Sequence, residues 1–251
     1  MIVPRYPQWF QLGLIVLIIN QLATAVSAVT RKDLTPPLVN TNSELSTNGT
    51  LIAQIIPDNT LGNESSNITN DMICGGATRG ENLFHSFQEF NVNTGQEIYF
   101  VNPVGIENIL SRVTGANFSE IDGLLGVDGA ANLFLLNPNG ITFGPNAELD
   151  IRGSFTASTS DTYQFEGAAG PVDIQGTDFL IMSVPLGVQR GMQPQGDVTN
   201  GSDLAVDAGQ SLTLFGDTVL SSGSLAAPAG RVEVLGNRVG VIDQALIDVS
   251  G

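Results

Sequence analysis

The sequence predicts an all-β protein of short strands, and three observations carry that expectation. Only 14% of the 251 residues are charged, against roughly 25% in an average globular protein, and amphipathic helices need the Lys, Glu and Arg that are scarce here. The chain holds 29 Gly and 12 Pro, and together with abundant Asn, Ser and Thr these residues mark turns. From about Ile73 onward, short runs of alternating apolar residues stand between those turns, the pattern of half-buried strands.

Residues 1–28 read as a signal peptide. Arg5 supplies a positive charge, Leu12-Gly13-Leu14-Ile15-Val16-Leu17-Ile18-Ile19 is a short apolar run, and small residues follow, with cleavage expected after Ala25 or Ala28. The run is about half the roughly 20 residues needed to span a bilayer, and no basic stop-transfer cluster follows it. Export with cleavage is therefore expected in place of anchoring. Residues 29–70 read as a flexible polar lead-in, with Thr35-Pro36-Pro37, Asn40-Thr41-Asn42-Ser43 and Asn63-Glu64-Ser65-Ser66-Asn67, and with one strand near residues 51–56. Sequons at Asn48, Asn63, Asn67, Asn117 and Asn200 are what chance gives in a chain rich in Asn and Ser.

Strand and turn then alternate. Glu97-Ile98-Tyr99-Phe100-Val101 runs into Asn102-Pro103, and Asn132-Leu133-Phe134-Leu135-Leu136 runs into Asn137-Pro138-Asn139-Gly140. Ile141-Thr142-Phe143 ends at Gly144-Pro145-Asn146, and Glu148-Leu149-Asp150-Ile151 ends at Gly153. The nearest helix candidate is 107–113, at most two turns. A repeat stands near the C-terminus: Leu212-Thr213-Leu214-Phe215-Gly216 with Val219 aligns with Val232-Glu233-Val234-Leu235-Gly236 with Val239, each introduced by a Gly, Gly209 or Gly230. A fixed period near 20 with short strands fits one solenoid coil per repeat. An antiparallel sandwich or barrel also gives evenly spaced short strands.

Charge excludes some functions. A net charge of −16 leaves no cationic surface to displace phosphate counterions, so nucleic acid is not a partner, and an anionic membrane surface is disfavoured likewise. Removing residues 1–28 takes away one Arg and no acid. The single Cys, Cys74, cannot form an intramolecular disulfide or a structural zinc site alone. In an exported chain it is either buried and inert or a point of intermolecular pairing.

Residues 75–158 carry a more specific resemblance. Gly75-Gly76-Ala77-Thr78-Arg79-Gly80 precedes Asn82-Leu83-Phe84-His85-Ser86-Phe87, and Phe90-Asn91-Val92 and Gly95 follow. Then come Arg112-Val113-Thr114-Gly115, Ile121-Asp122-Gly123-Leu124-Leu125, Ala131-Asn132-Leu133-Phe134-Leu135-Leu136 and Asn137-Pro138-Asn139-Gly140-Ile141. In this order the blocks resemble the N-terminal filamentous-haemagglutinin domain, the secretion (TPS) domain of two-partner-secretion exoproteins, in a form like those of cyanobacteria. The resemblance covers most of residues 73–250.

It implies a right-handed parallel β-helix over 71–251, with an N-terminal cap and extra-helical strands. It also implies passage through the inner membrane by the general secretory route and recognition by an outer-membrane TpsB-type β-barrel transporter with periplasmic domains. The product would be secreted or held at the cell surface, as part of an adhesin-like exoprotein. Asn137, Pro138, Asn139, Gly140 and Ile141 match the family motif whole, and would serve as a structural turn, as a recognition element, or as both. A second, more N-terminal motif would fall at Asn102-Pro103-Val104-Gly105, where only Asn102 and Pro103 match. The chain stops at Val249-Ser250-Gly251, directly after a strand-like run. The domain is expected to continue in a longer exoprotein whose remaining portion contacts surface receptors or glycans.

Catalytic chemistry is not expected, and no cofactor or metal is implied. His85, the lone histidine, lies between Phe84 and Phe87, where a packed, hydrogen-bonded ring is expected in place of a general base. Ser86 lacks a nucleophile-elbow context, and Cys74 has only Arg79 nearby to lower its pKa. β-Helices also carry polysaccharide lyases and hydrolases, which need clustered acids. Asp150, Asp161, Asp173 and Asp178 are the candidates, but their spacing specifies no pair. Such an enzyme, and a standalone structural surface protein, are the alternatives to the secretion domain.

Overall fold

The 20-residue repeat is a pair of stacked strands. Leu212 pairs with Val232, Leu214 with Val234 and Val219 with Val239, in one parallel register from Ser211↔Arg231 to Ser221↔Val241. A computed structural model of the chain describes residues 55–166, 172–174, 180, 185–187 and 194–251. The expected signal peptide, the first part of the lead-in and Asp178 lie outside the described residues.

In chain order the strands are β1 (Ile55–Pro57), β2 (Ser66–Thr69), β3 (Met72–Gly75), β4 (Ala77–Arg79), β5 (Asn82–Phe90), β6 (Glu97–Val101), β7 (Asn108–Val113) and β8 (Ser119–Ile121). They continue with β9 (Leu124–Asp128), β10 (Asn132–Leu136), β11 (Ile141–Phe143), β12 (Glu148–Asp150), β13 (Phe155–Ser158), β14 (Thr162–Phe165), β15 (Val172–Asp173) and β16 (Pro185–Gly187). The last are β17 (Val198–Asn200), β18 (Leu204–Ala205), β19 (Ser211–Ser221), β20 (Leu225–Ala226), β21 (Arg231–Val241) and β22 (Ile247–Asp248).

These strands wind into about 6 turns of a β-solenoid of the right hand, which parallel crossovers take. The first face stacks β5, β7, β10, β13 and the first halves of β19 and β21. The second stacks β8, β11, β17 and the second halves of β19 and β21. The third stacks β3, β6, β9 and β12, and then β18, β20 and β22. Inward residues such as Phe87, Ile109, Leu133, Leu135, Phe155, Leu212 and Leu214 form one continuous core. Removing this apolar surface from water is the main stabilising term, because no single coil can bury its own face.

The first face is buried on its outer side as well. Phe84, Leu110, Phe134 and Leu136 point outward and pack against Leu61, Ala77, Tyr163, Phe165 and Ile174 in a second core. Every residue of β7 is therefore buried, and the helix candidate at 107–113 is corrected to a strand. A strand covered on both faces loses the period-two alternation that identifies strands in sequence.

Within the expected lead-in of residues 29–70, the described residues hold β1 at Ile55–Pro57 and β2 at Ser66–Thr69. β1 and β4 pair antiparallel with the two ends of β5, and β2 pairs antiparallel with β3 through a turn in which Asn70 and Asp71 both take positive φ. The open edges of the first coil are thereby covered, which removes a template for unwanted strand pairing.

Between β13 and β17 the chain leaves the solenoid. β14 pairs antiparallel with β15 and β16, so the stacked neighbours Ser154 and Ser211 stand 57 residues apart, while earlier coils step by 26, 24 and 22. A polar ladder marks the start of successive coils on the first face. Asn108 Nδ2 donates to Asn82 Oδ1 at 3.0 Å, Asn132 Nδ2 donates to Asn108 Oδ1 at 2.9 Å, and Ser154 N donates to Asn132 Oδ1 at 2.8 Å. Each side chain satisfies the next, as stacked Asn does in cross-β structures.

Candidate functional site

Asn137-Pro138-Asn139-Gly140 forms the corner between β10 and β11. Gly140 N donates to Asn137 O at 3.1 Å, closing a four-residue turn with Pro at its second position and Gly at its fourth. Asn139 is not among the residues of positive φ, so the turn is of type I. Asn137 Oδ1 accepts from Asn139 N at 3.0 Å and from Asn139 Nδ2 at 3.1 Å, an Asx turn superimposed on the main-chain one.

The turn is tied to the coils on either side. Asn137 Nδ2 donates to Asn117 O and to Ser119 Oγ, both at 3.0 Å, and Asn137 N donates to Ser158 O at 3.0 Å. Asn139 Nδ2 reaches Gly115 O at 2.8 Å. Gly140 holds φ at +129, and a Cβ there would lie 3.3 Å from both Asp197 O and Phe118 Cβ. Ile141 begins β11 inside the core, paired with Ser119 and Val198. Asn137 is completely buried, Pro138 is half-buried and Asn139 is exposed. Only Pro138 and Asn139 of the motif present side-chain surface.

That surface borders a shallow groove of about 490 Å³ running up the corner, lined by Phe118, Asn139, Thr142, Asp197, Asp217 and Arg238. Phe118 is 54% exposed. Arg238 Nη2 lies 3.3 Å from Asp217 Oδ2, a solvent-exposed pair of small energetic weight.

Asn102 and Pro103 occupy a different corner, between β6 and β7, so the two Asn-Pro pairs are not brought together. Here the turn starts one residue later: Ile106 N donates to Pro103 O at 3.1 Å, and Gly105 takes φ +86 at the third position, a type II turn. Asn102 Nδ2 donates to Ile106 O at 3.0 Å, and Val104 at the tip is fully exposed.

His85 is a packed core histidine. It is wholly buried, with Nδ1 3.0 Å from Ser66 Oγ and its ring against Phe87 and Phe100. Desolvation lowers its pKa to about 4. Asp150 lies on β12 of the third face and accepts from Tyr99 Oη at 2.9 Å. Asp161 and Asp173 belong instead to the excursion, where Asp173 pairs with Thr162.

A polar cluster that the residue reading did not single out lies on the outer side of the first face. The Arg112 guanidinium is buried. It donates through Nε to Ser86 Oγ at 2.9 Å, through Nη2 to Thr60 Oγ1 at 2.9 Å and through Nη1 to Ile174 O at 2.5 Å. The same two hydroxyls donate to Asp58, Ser86 at 2.8 Å and Thr60 at 2.7 Å. Burial alone would raise the Asp58 pKa, but hydrogen bonds from Thr114, Thr60 and Ser86 outweigh it and hold the carboxyl below its usual value. An arginine set among Ile109, Leu110 and Val113, in a chain with only 9 Lys and Arg, was the available signal.

Residues 53–250 match the family model described as "TPS secretion domain". A heme/hemopexin-binding protein of Haemophilus influenzae is 35% identical over 75 residues, which cover 30% of this chain and 8% of that protein. The crystal structure of the HMW1 secretion domain from Haemophilus influenzae superposes with a TM-score of 0.50 at 17% identity, over 74% of this chain and 57% of that one. The filamentous hemagglutinin secretion domain gives a TM-score of 0.42 at 16% identity, over 79% of this chain and all of that one. The chain spans a small fraction of the curated relative's length, and the likeness to the HMW1 secretion domain speaks for the fold alone. The match over 53–250 settles the family: the chain belongs to the TPS secretion domains of two-partner-secretion exoproteins.

Proposed function

We propose that this domain directs its own chain across the outer membrane through a dedicated β-barrel transporter with periplasmic domains, and winds into a solenoid as it emerges. The observation that carries the reading is the family match over 53–250, with the Asn-Pro-Asn-Gly-Ile motif whole at a coil corner. Before folding, its strand segments are extended and can add to a sheet edge of the transporter through main-chain hydrogen bonds. After folding, each coil rests only on its neighbours, so the structure grows coil by coil. A lone Cys suits threading, since no intramolecular disulfide can form in the periplasm to block it.

In the same reading, residues 1–28 are a signal peptide removed after Ala25 or Ala28, the route runs through the periplasm, and the domain acts without enzymatic chemistry. Asn137, Pro138, Asn139, Gly140 and Ile141 serve first as a structural turn, with recognition falling to the exposed Pro138 and Asn139. Asn102 and Pro103 form a secondary element. Contacts with surface receptors or glycans belong to the rest of a longer exoprotein.

Export of the chain from cells with and without the cognate barrel tests this. The expected outcome is protein in the medium or on the surface when the barrel is present, and processed protein held in the periplasm when it is absent. Equal export in both strains would refute the proposal.

A further inference from the structure

We propose that the N-terminal strap (residues 55–64) and the excursion strands β14 and β15 form one latch on the solenoid, closed by Arg112, that opens and shuts as a single unit while the ladder beneath stays wound.

Three segments far apart in sequence meet at one guanidinium. Arg112 belongs to the second coil, Thr60 to the strap and Ile174 to the excursion, and Arg112 donates to both of the latter and to Ser86 of the first coil. Arg112 and Asp58 are joined through hydroxyls. Ser86 and Thr60 each accept from the arginine and donate to the carboxylate, and Thr114 donates to Asp58 as well. Charge-assisted hydrogen bonds of this kind are about twice as strong as neutral ones. A buried charge that loses its partners is strongly penalised. Withdrawing the strap would leave Arg112 without its Thr60 acceptor and the Asp58 side of the network. Withdrawing the excursion would strip away the Ile174 carbonyl. Each departure weakens the hold on the other, which is the condition for joint opening.

Apolar contacts couple the same pieces. Leu61 of the strap and Tyr163, Phe165 and Ile174 of the excursion share one cluster over Phe84, Leu110, Phe134 and Leu136. These contacts lie outside the ladder's own core, which is on the opposite side of the first face; of the strap, Ile55 at its very start packs partly against that core. The latch can therefore lift from a solenoid that remains intact, uncovering an apolar sheet face.

Native-state amide hydrogen exchange of the unmodified chain in rising, sub-denaturing urea is the test. Residues 55–60 and 161–165 are expected to exchange through a common opening with the same urea dependence, on the order of tenfold or more faster than β10 and β19. Arg112→Lys, which keeps the charge and loses the fork, should accelerate both segments by the same factor and leave β10 and β19 unchanged. Thr60→Ala, a milder change on the strap side, should do the same to a smaller degree should the lysine variant not fold. Different urea dependences for the two segments, acceleration of one alone, or equal acceleration of the ladder strands would each overturn the proposal.

Discussion

Asn137 and Asn139 are locked to each other through a single oxygen: Asn137 Oδ1 accepts both the main-chain and the side-chain amide of Asn139, at 3.0 and 3.1 Å. One of the pair is sealed inside the coil and the other stands on its surface, so the two should answer mutation differently.

Asn137→Ala removes acceptor and donor together, leaving Asn117 O and Ser119 Oγ without the amide that bridges them. A loss of about 2–4 kcal/mol is expected, the scale for several buried polar groups left unpaired. Urea unfolding should show a lower midpoint with an unchanged slope. Asn139→Ala forfeits mainly the bond to Gly115 O on an exposed side chain, and about 1 kcal/mol is expected. Equal losses in the two variants would show that burial at the corner does not set the motif's structural weight.

Acid should weaken the fold through His85. Its ring is buried and its pKa falls from 6.5 to about 4 for want of solvent, so the folded chain resists a proton that the unfolded chain accepts. The contribution is complete above pH 6.5 and is lost as pH falls toward 4, because in that window the unfolded state binds more protons. Between pH 6.5 and 4.5, the part of the interval the measurements cover, about 2–3 kcal/mol is at stake, at roughly 1.4 kcal/mol per pH unit. Unfolding free energies at pH 7, 5.5 and 4.5 for the unmodified chain and for His85→Gln provide the check. The variant's curve should be flatter by that amount, and parallel curves would remove His85 from the account.

The polar ladder predicts a third effect. Asn108 is the middle rung, donating to Asn82 and accepting from Asn132, and both Asn82 and Asn108 are buried. Asn108→Ala should destabilise by about 2 kcal/mol. A replacement of Asn82, Asn108 and Asn132 together by Val should recover part of that loss, since the three amides then leave no ladder partner unpaired, although Ser154 N loses its Asn132 acceptor. Unfolding midpoints of the single and triple variants decide the point.

How much of this was readable from the chain varies along it, for a physical reason. The pair Leu212–Val219 and Val232–Val239 was legible because these coils have equal corners, so that spatial stacking appears as a fixed offset in sequence. Earlier coils stack as regularly in space, but corners of different length shift Leu133 onto Phe155 and Leu83 onto Ile109 by unequal steps, and periodicity in sequence is erased. The excursion hides a coil altogether. Asn137-Pro138-Asn139-Gly140 was legible as a turn because its residue types fit one backbone geometry. The role of Arg112 was not, because its partners, Thr60 and Ile174, become neighbours only when strap and excursion fold back over the first face.

If the core is one continuous stack, truncating an inward side chain in a middle coil should cost more than truncating its counterpart in the outermost coil described. Leu214 and Val234 are register partners, yet Leu214 is completely buried while Val234 is only partly so. Leu214→Ala should lose about 3 kcal/mol, within the usual range for a buried leucine that leaves a cavity. Val234→Ala removes fewer atoms from a site with coil on one side only, and about 1 kcal/mol or less is expected. A sandwich or barrel reading has no reason to rank the two by coil position. Thermal midpoints measured on both variants would then separate the architectures: a drop for Leu214→Ala several times that for Val234→Ala follows from a ladder whose middle rungs are held from above and below.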